Sequence, residues 1–220
     1  MKYIDSLCER RKNLEPIKYE IVKAFEAIRD CYVAHNKVLI CGNGGSAADS
    51  AHITGELMKG FKKKRTIDEK IEKNLLKSIE DYFEKNNDYT SSVKLKDMKE
   101  NLEQGLPTID LTSQVGLNTA YANDKKADYV YANAVLGLGN LNDVLIAIST
   151  SGNSKNVVNA ALVAKAKNMK VIAMSGKDGG ALKDIADINI VVPANETYLI
   201  QEEHIAIYHA ICLDVEEEFF

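Results

Sequence analysis

KVLICGNGGS (37–46) and DVLIAISTSGNS (143–154) follow one plan. A short run of β-branched and apolar residues ends in a turn of glycine, asparagine and serine. A pattern with helical spacing then begins. A continuous apolar run bounded by turn residues reads as a strand buried on both faces. The same reading extends to TIDLT (108–112), KVIAMS (170–175) and DINIVV (187–192). Helical periodicity fills 47–61, 114–122, 126–138, 154–168, 178–186 and 196–218, and two further helical stretches, 2–12 and 16–35, open the chain. Strands alternating with helices predict a parallel sheet covered on both faces, joined by right-handed crossovers. The expected fold is α/β: a three-layer α/β/α sandwich around a parallel five-stranded sheet. Residues 1–36 add N-terminal helices.

One stretch breaks this rhythm. Residues 62–106 are rich in Lys, Glu, Asp and Asn, with sparse apolar residues. They read as a polar insertion of two or three exposed helices, solvated rather than partner-binding. The whole of 1–220 is expected to form one domain carrying this insertion.

Composition narrows the function classes. A net charge of −4 disfavours a nucleic-acid binder, because a phosphate backbone rewards clustered Lys and Arg. The KKKR run at 62–65 is short and followed by acids. The polar start MKYIDSLCERRKNLEP has no apolar signal region, and no apolar run reaches membrane-spanning length. Cys8, Cys31, Cys41 and Cys212 are scattered with no CxxC pair, which suits buried thiols in a reducing compartment. A cytoplasmic protein with no nucleic-acid or membrane partner is expected.

The two glycine and serine turns sit where open α/β sheets bind ligands, at the carboxyl ends of strands. Asn43, Gly44 and Gly45 let backbone approach an anion, and the helix that follows presents free N–H groups. Ser149, Thr150, Ser151 and Ser154 add four hydroxyls in six residues, more than an N-cap needs. A phosphate fits such converging donors. Neither turn matches a dinucleotide or P-loop fingerprint.

His52 and Glu56 are four apart on the helix after GNGGS and share a face. Gln201 and His209 lie on the last helix, eight residues or about 12 Å apart along it. They can line one groove, though not trivially one small site. A carboxylate and an imidazole beside a phosphate cradle suit aldose–ketose isomerisation, in which a base removes the proton α to a carbonyl and an acid protonates the enediolate. His, Glu, Gln and His are also donors that zinc accepts. Against this stand blander readings: His52 with Glu56 as a surface pair, His209 as a hydrogen-bonded core histidine.

Taken together, KVLICGNGGSAADSAHITGEL, DVLIAISTSGNSKNVVNAALVAKAKNMKVIAMSGKDGG and IQEEHIAIYHAICLDVEE resemble, in order, three signatures of bacterial phosphoheptose isomerases, a branch of the SIS (sugar isomerase) class. The resemblance covers most of 17–61 and 108–218. It implies substrate contacts from Asn43, Gly44, Gly45, Glu56, Gln201, and from Asn123 and Asp124 in AYAND. It implies phosphate contacts from Ser149, Thr150, Ser151 and Ser154. It implies one zinc ion per subunit on His52, Glu56, Gln201 and His209, with Glu56 as general base and His209 as its acid/base partner. It also implies a homotetramer with sites between subunits, which relieves the spacing of Gln201 and His209. The substrate implied is D-sedoheptulose 7-phosphate and the product D-glycero-D-manno-heptose 7-phosphate, a precursor of nucleotide-activated heptose for surface polysaccharide.

Two positions depart from the family pattern. An arginine often found four residues after the glutamate is Gly60 here, and Arg-Ile-Gln on the last helix is Leu199-Ile200-Gln201. These departures leave open an isomerase of another ketose phosphate. A non-catalytic SIS adaptor that binds a replication initiator protein is the remaining alternative; such adaptors generally lack the catalytic glutamate, and Glu56 is present.

Overall fold

A computed structural model describes residues 1–85 and 91–220. Five strands form one sheet: β1 (Val38–Cys41), β2 (Thr108–Asp110), β3 (Val144–Ile148), β4 (Lys170–Ser175) and β5 (Ile188–Val191). Their order is β2-β1-β3-β4-β5, and every neighbouring pair is parallel. Val38 pairs with Thr108 on one side and Val144 on the other, which fixes the register at the middle of the sheet.

Alternation along the strands divides the core in two. Val38, Ile40, Val144, Ile146, Ile148 and Ile172 face one cluster. It is closed by α1 (Lys2–Arg10), α2 (Lys18–Val33), α3 (Gly45–Met58) and α10 (Thr197–Phe219). Leu39, Cys41, Leu145, Ala147, Val171 and Ala173 face the other. That face is closed by α7 (Val130–Leu138), α8 (Lys155–Ala166) and the single turn α9 (Leu182–Ile185). The expected three layers are therefore present, with burial on both faces explaining why the strands read as apolar runs.

The element bounds differ from the sequence reading for local reasons. Helix α3 starts at Gly45 rather than Ala47, because Gly44 turns the chain into it at φ 54°. Strand β2 stops at Asp110, whose carboxylate accepts from Thr112 N at 2.8 Å and caps a 3-10 turn. The helix expected over 178–186 shrinks to one turn, since Gly179 and Gly180 adopt φ 92° and 54°. Helix α6 (Val115–Asp124) runs two residues further than expected.

In the insertion, α4 (Glu69–Lys85) and α5 (Ser91–Asn101) pack on each other. Residues 86–90 of the insertion lie outside the described residues. Its stem is tied to the end of α3: Leu106 N donates to Leu57 O at 3.0 Å, and Gly60 N to Glu103 Oε2 at 2.8 Å. Among the described residues, no helix is long and apolar enough to cross a membrane.

Candidate active site

The chain runs from β1 outward to edge strand β2, then returns to β3 on the other side of β1. This reversal opens a crevice at the carboxyl ends of β1 and β3, the switch point at which open α/β sheets bind ligands. Both sequence-predicted loops flank it. The asparagine side chains bridge them: Asn43 Nδ2 donates to Asn156 Oδ1 at 2.8 Å, and Asn156 Nδ2 to Asn43 Oδ1 at 2.8 Å. Asn43 and Gly44 are exposed, and Thr150 and Ser151 half-buried, so the rim is open to a ligand.

The serine loop is held from below. Ser149 Oγ donates to Ser154 Oγ at 3.0 Å, and Asn153 N donates to Ser151 Oγ at 3.2 Å. Gly152 (φ 69°) lies against the Gly179 carbonyl, where a Cβ has no room. A side chain there would push apart the two loops that follow β3 and β4.

Helices α3 and α10 run side by side from this rim. Gln201 packs on Gly45 in space that a Cβ would occupy. Two turns further, His209 Nε2 stands 3.4 Å from His52 Nε2, and His52 Nε2 3.2 Å from Glu56 Oε1. Three residues chosen from sequence spacing therefore meet within one chain. Gln201 lies eight residues from His209 along α10, about 12 Å. Glu56 is 8% exposed, and Lys59 Nζ reaches its Oε2 at 3.2 Å. Burial, with His52 alongside, holds His209 below the usual histidine range. The Phe61 ring lies 5.4 Å from it. Beyond His209, an open groove of about 400 Å³ between α1 and α10 is lined by Arg10, Arg11 and Glu202.

Asn123 and Asp124 end α6, exposed and hydrogen-bonded to each other at 2.9 Å. Among the described residues neither bonds to either loop. Gly60, the first departure from the family pattern, sits where a side chain would meet the Lys63 carbonyl and Glu103. An arginine there is incompatible with this turn. Leu199, the second departure, is 39% exposed on α10.

Sequence reasoning missed Tyr208 and Asp49. Tyr208 O lies 2.9 Å from His52 Nδ1 and 3.4 Å from Asp49 Oδ1. Burial pushes the Asp49 carboxyl up, opposed by the Tyr208 hydroxyl and His52. The signal was available: Asp49, His52 and Glu56 share one helical face, and Tyr208 is seven residues after Gln201.

Among the described residues, no group of three or more His, Cys, Asp and Glu side chains is arranged as a ready metal cage. The donor set is nonetheless one that zinc accepts: two imidazole nitrogens and a carboxylate already lie within 3.4 Å of their neighbours, while the Gln201 amide stands about 12 Å along α10 from His209.

The SIS domain family model matches residues 2–102 and 102–176, and the chain belongs to that family. The phosphoheptose isomerase of Campylobacter jejuni is 37% identical over 205 residues, covering 93% of this chain and 90% of its own. That of Aliarcobacter butzleri is 36% identical over 207 residues, covering 94% and 89%. Among solved structures, phosphoheptose isomerase from Neisseria gonorrhoeae superposes with a TM-score of 0.72 at 30% identity, over 97% of this chain and 94% of that one. The enzyme from Francisella tularensis gives 0.73 at 29%, over 98% and 95%. Within the SIS family, then, this chain is one of the phosphoheptose isomerases.

Proposed function

We propose that this protein converts D-sedoheptulose 7-phosphate into D-glycero-D-manno-heptose 7-phosphate. The observation that carries this reading is the meeting of Glu56, His52 and His209 across α3 and α10, on the helix that leaves the glycine loop. The reaction moves two hydrogens: one from C1 to C2, one from O1 to O2. Glu56 takes the C1 proton, and electrons move to the C2 oxygen as an enediolate forms. The same carboxyl returns a proton at C2. His209, whose lowered pKa keeps the neutral ring available, shuttles the proton between the oxygens.

The phosphate is held by Ser149, Thr150, Ser151 and Ser154, and the sugar by Asn43, Gly44 and Gly45, with Asn123 and Asp124 closing over it. His52, Glu56, Gln201 and His209 would hold one zinc ion, which when bound polarises the carbonyl and stabilises negative oxygen. Gly45 and Glu56 stand about 16 Å apart along α3. That separation, with the offset of Gln201 from His209, supports a complete site shared between subunits of a homotetramer. We take 1–220 as one SIS domain of a cytoplasmic enzyme. The product suits nucleotide-activated heptose synthesis.

The test is turnover of D-sedoheptulose 7-phosphate by purified protein. Glu56→Gln and His209→Asn are each expected to lower kcat by about 10²–10⁴. Full activity in Glu56→Gln would remove the base assignment. Turnover confined to shorter ketose phosphates would make Gly60 and Leu199 specificity changes.

A further inference from the structure

The hydrogen of one hydroxyl decides the state of His52. Tyr208 O lies within reach of both His52 Nδ1, at 2.9 Å, and Asp49 Oδ1, at 3.4 Å. A phenol has a single hydrogen to donate. Asp49 is 5% exposed, and among the described residues its Oδ2 has no hydrogen-bond partner. Tyr208 supplies the hydrogen bond to its other oxygen. In its ionised form the Asp49 carboxyl can only accept, and leaving it buried without a donor is costly. The Tyr208 hydrogen therefore points at Asp49, and its oxygen lone pair faces His52. Nδ1 of His52 must then carry the hydrogen.

In a neutral imidazole this leaves Nε2 with a bare lone pair. On that side stand Glu56 Oε1 at 3.2 Å and His209 Nε2 at 3.4 Å. An acceptor nitrogen beside a carboxylate oxygen is a poor hydrogen bond and a good pair of cation ligands. Metal-binding histidines commonly have the second nitrogen fixed in this way by an outer partner.

We propose that Tyr208, oriented by Asp49, is a positioning residue that locks His52 in the Nδ1–H tautomer and presents its Nε2 lone pair to the centre shared with Glu56 and His209. The consequence for zinc rests on the reading above; the tautomer does not.

The experiment is nitrogen-15 NMR of the imidazoles in the full-length, metal-free protein, with His52 assigned from the signals missing in His52→Gln. The wild type is expected to show His52 protonated at Nδ1 and bare at Nε2. Tyr208→Phe keeps the ring and removes the acceptor, and is expected to move the hydrogen to Nε2, where Glu56 accepts it. Zinc affinity, measured by competition with a chromophoric chelator, is expected to fall 10–100-fold in Tyr208→Phe. A wild-type His52 protonated at Nε2 would overturn the proposal, with no variant needed. So would an unchanged tautomer in Tyr208→Phe. If the tautomer behaves as stated but the wild type binds no zinc, the metal reading fails and the Tyr208 assignment stands.

Discussion

His204 is a histidine whose surroundings decide its charge. It is fully buried on α10, with Nε2 3.2 Å from the Ser175 carbonyl and, among the described residues, no partner at Nδ1. Burial lowers its pKa from 6.5 to about 4, so the native ring is neutral where the unfolded chain would already be protonated. Stability from this residue is complete above pH 6.5 and is lost as pH falls from there to about 4. The loss is at most about 3 kcal/mol. Denaturant unfolding at pH 7 and 4.5 should show that decline, and His204→Gln should flatten it. An equal decline in the variant would assign the acid sensitivity elsewhere. His204 is three residues from Gln201 and five from His209, as His52 is four from Glu56, so sequence distance alone does not mark it as a core ring. Only packing tells a core ring from a reactive one. Gly45 was legible as a loop glycine, but that Gln201 fills the space above it was not, since that contact joins residues 156 positions apart.

At the scale of elements, the end of α3 shows how Glu56 is held. Arg65 is buried, and its guanidinium donates to Glu56 O at 2.9 Å and Leu57 O at 2.7 Å, capping the last carbonyls of the helix. Glu216 on α10 accepts from Arg65 Nε at 3.0 Å and from the backbone N–H groups of Phe61, Lys62 and Lys63. Burial opposes the Glu216 charge, but these donors hold its carboxyl below the usual range. Replacing one partner leaves a buried charge alone, so Arg65→Met is expected to cost about 3–5 kcal/mol in equilibrium unfolding. Arg65→Met with Glu216→Leu should recover part of that. A loss under 1 kcal/mol in the single variant would contradict the clamp. KKKR had read as a solvated run; the last of its four residues is instead a fully buried arginine. Charge composition is blind to a single buried partner 151 residues away. The central strands β1, β3 and β4 were legible because they are buried on both faces, while α9 was overextended because consecutive positive-φ glycines halt a helix that periodicity alone would continue.

For the molecule as a whole, strand order rather than any one motif creates the site. Alternating strands and helices announced a parallel sheet, yet the order β2-β1-β3-β4-β5 and its switch point came only from the structure. Assembly is the next level. Helix α6 has no buried residue, and Val115 (67% exposed), Leu117 (37%), Tyr198 (61%) and Leu199 (39%) present apolar surface. Light scattering with size exclusion is expected to give a tetramer, and Val115→Asp to weaken it. A monomer that is fully active would contradict a site shared between subunits. The most direct test of the central claim is proton NMR of the reaction with D-sedoheptulose 7-phosphate in D₂O. An enediolate mechanism through Glu56 predicts aldoheptose 7-phosphate that gains deuterium at C2 over repeated turnovers. No aldoheptose, or product that stays fully protonated at C2 after many turnovers, would contradict it.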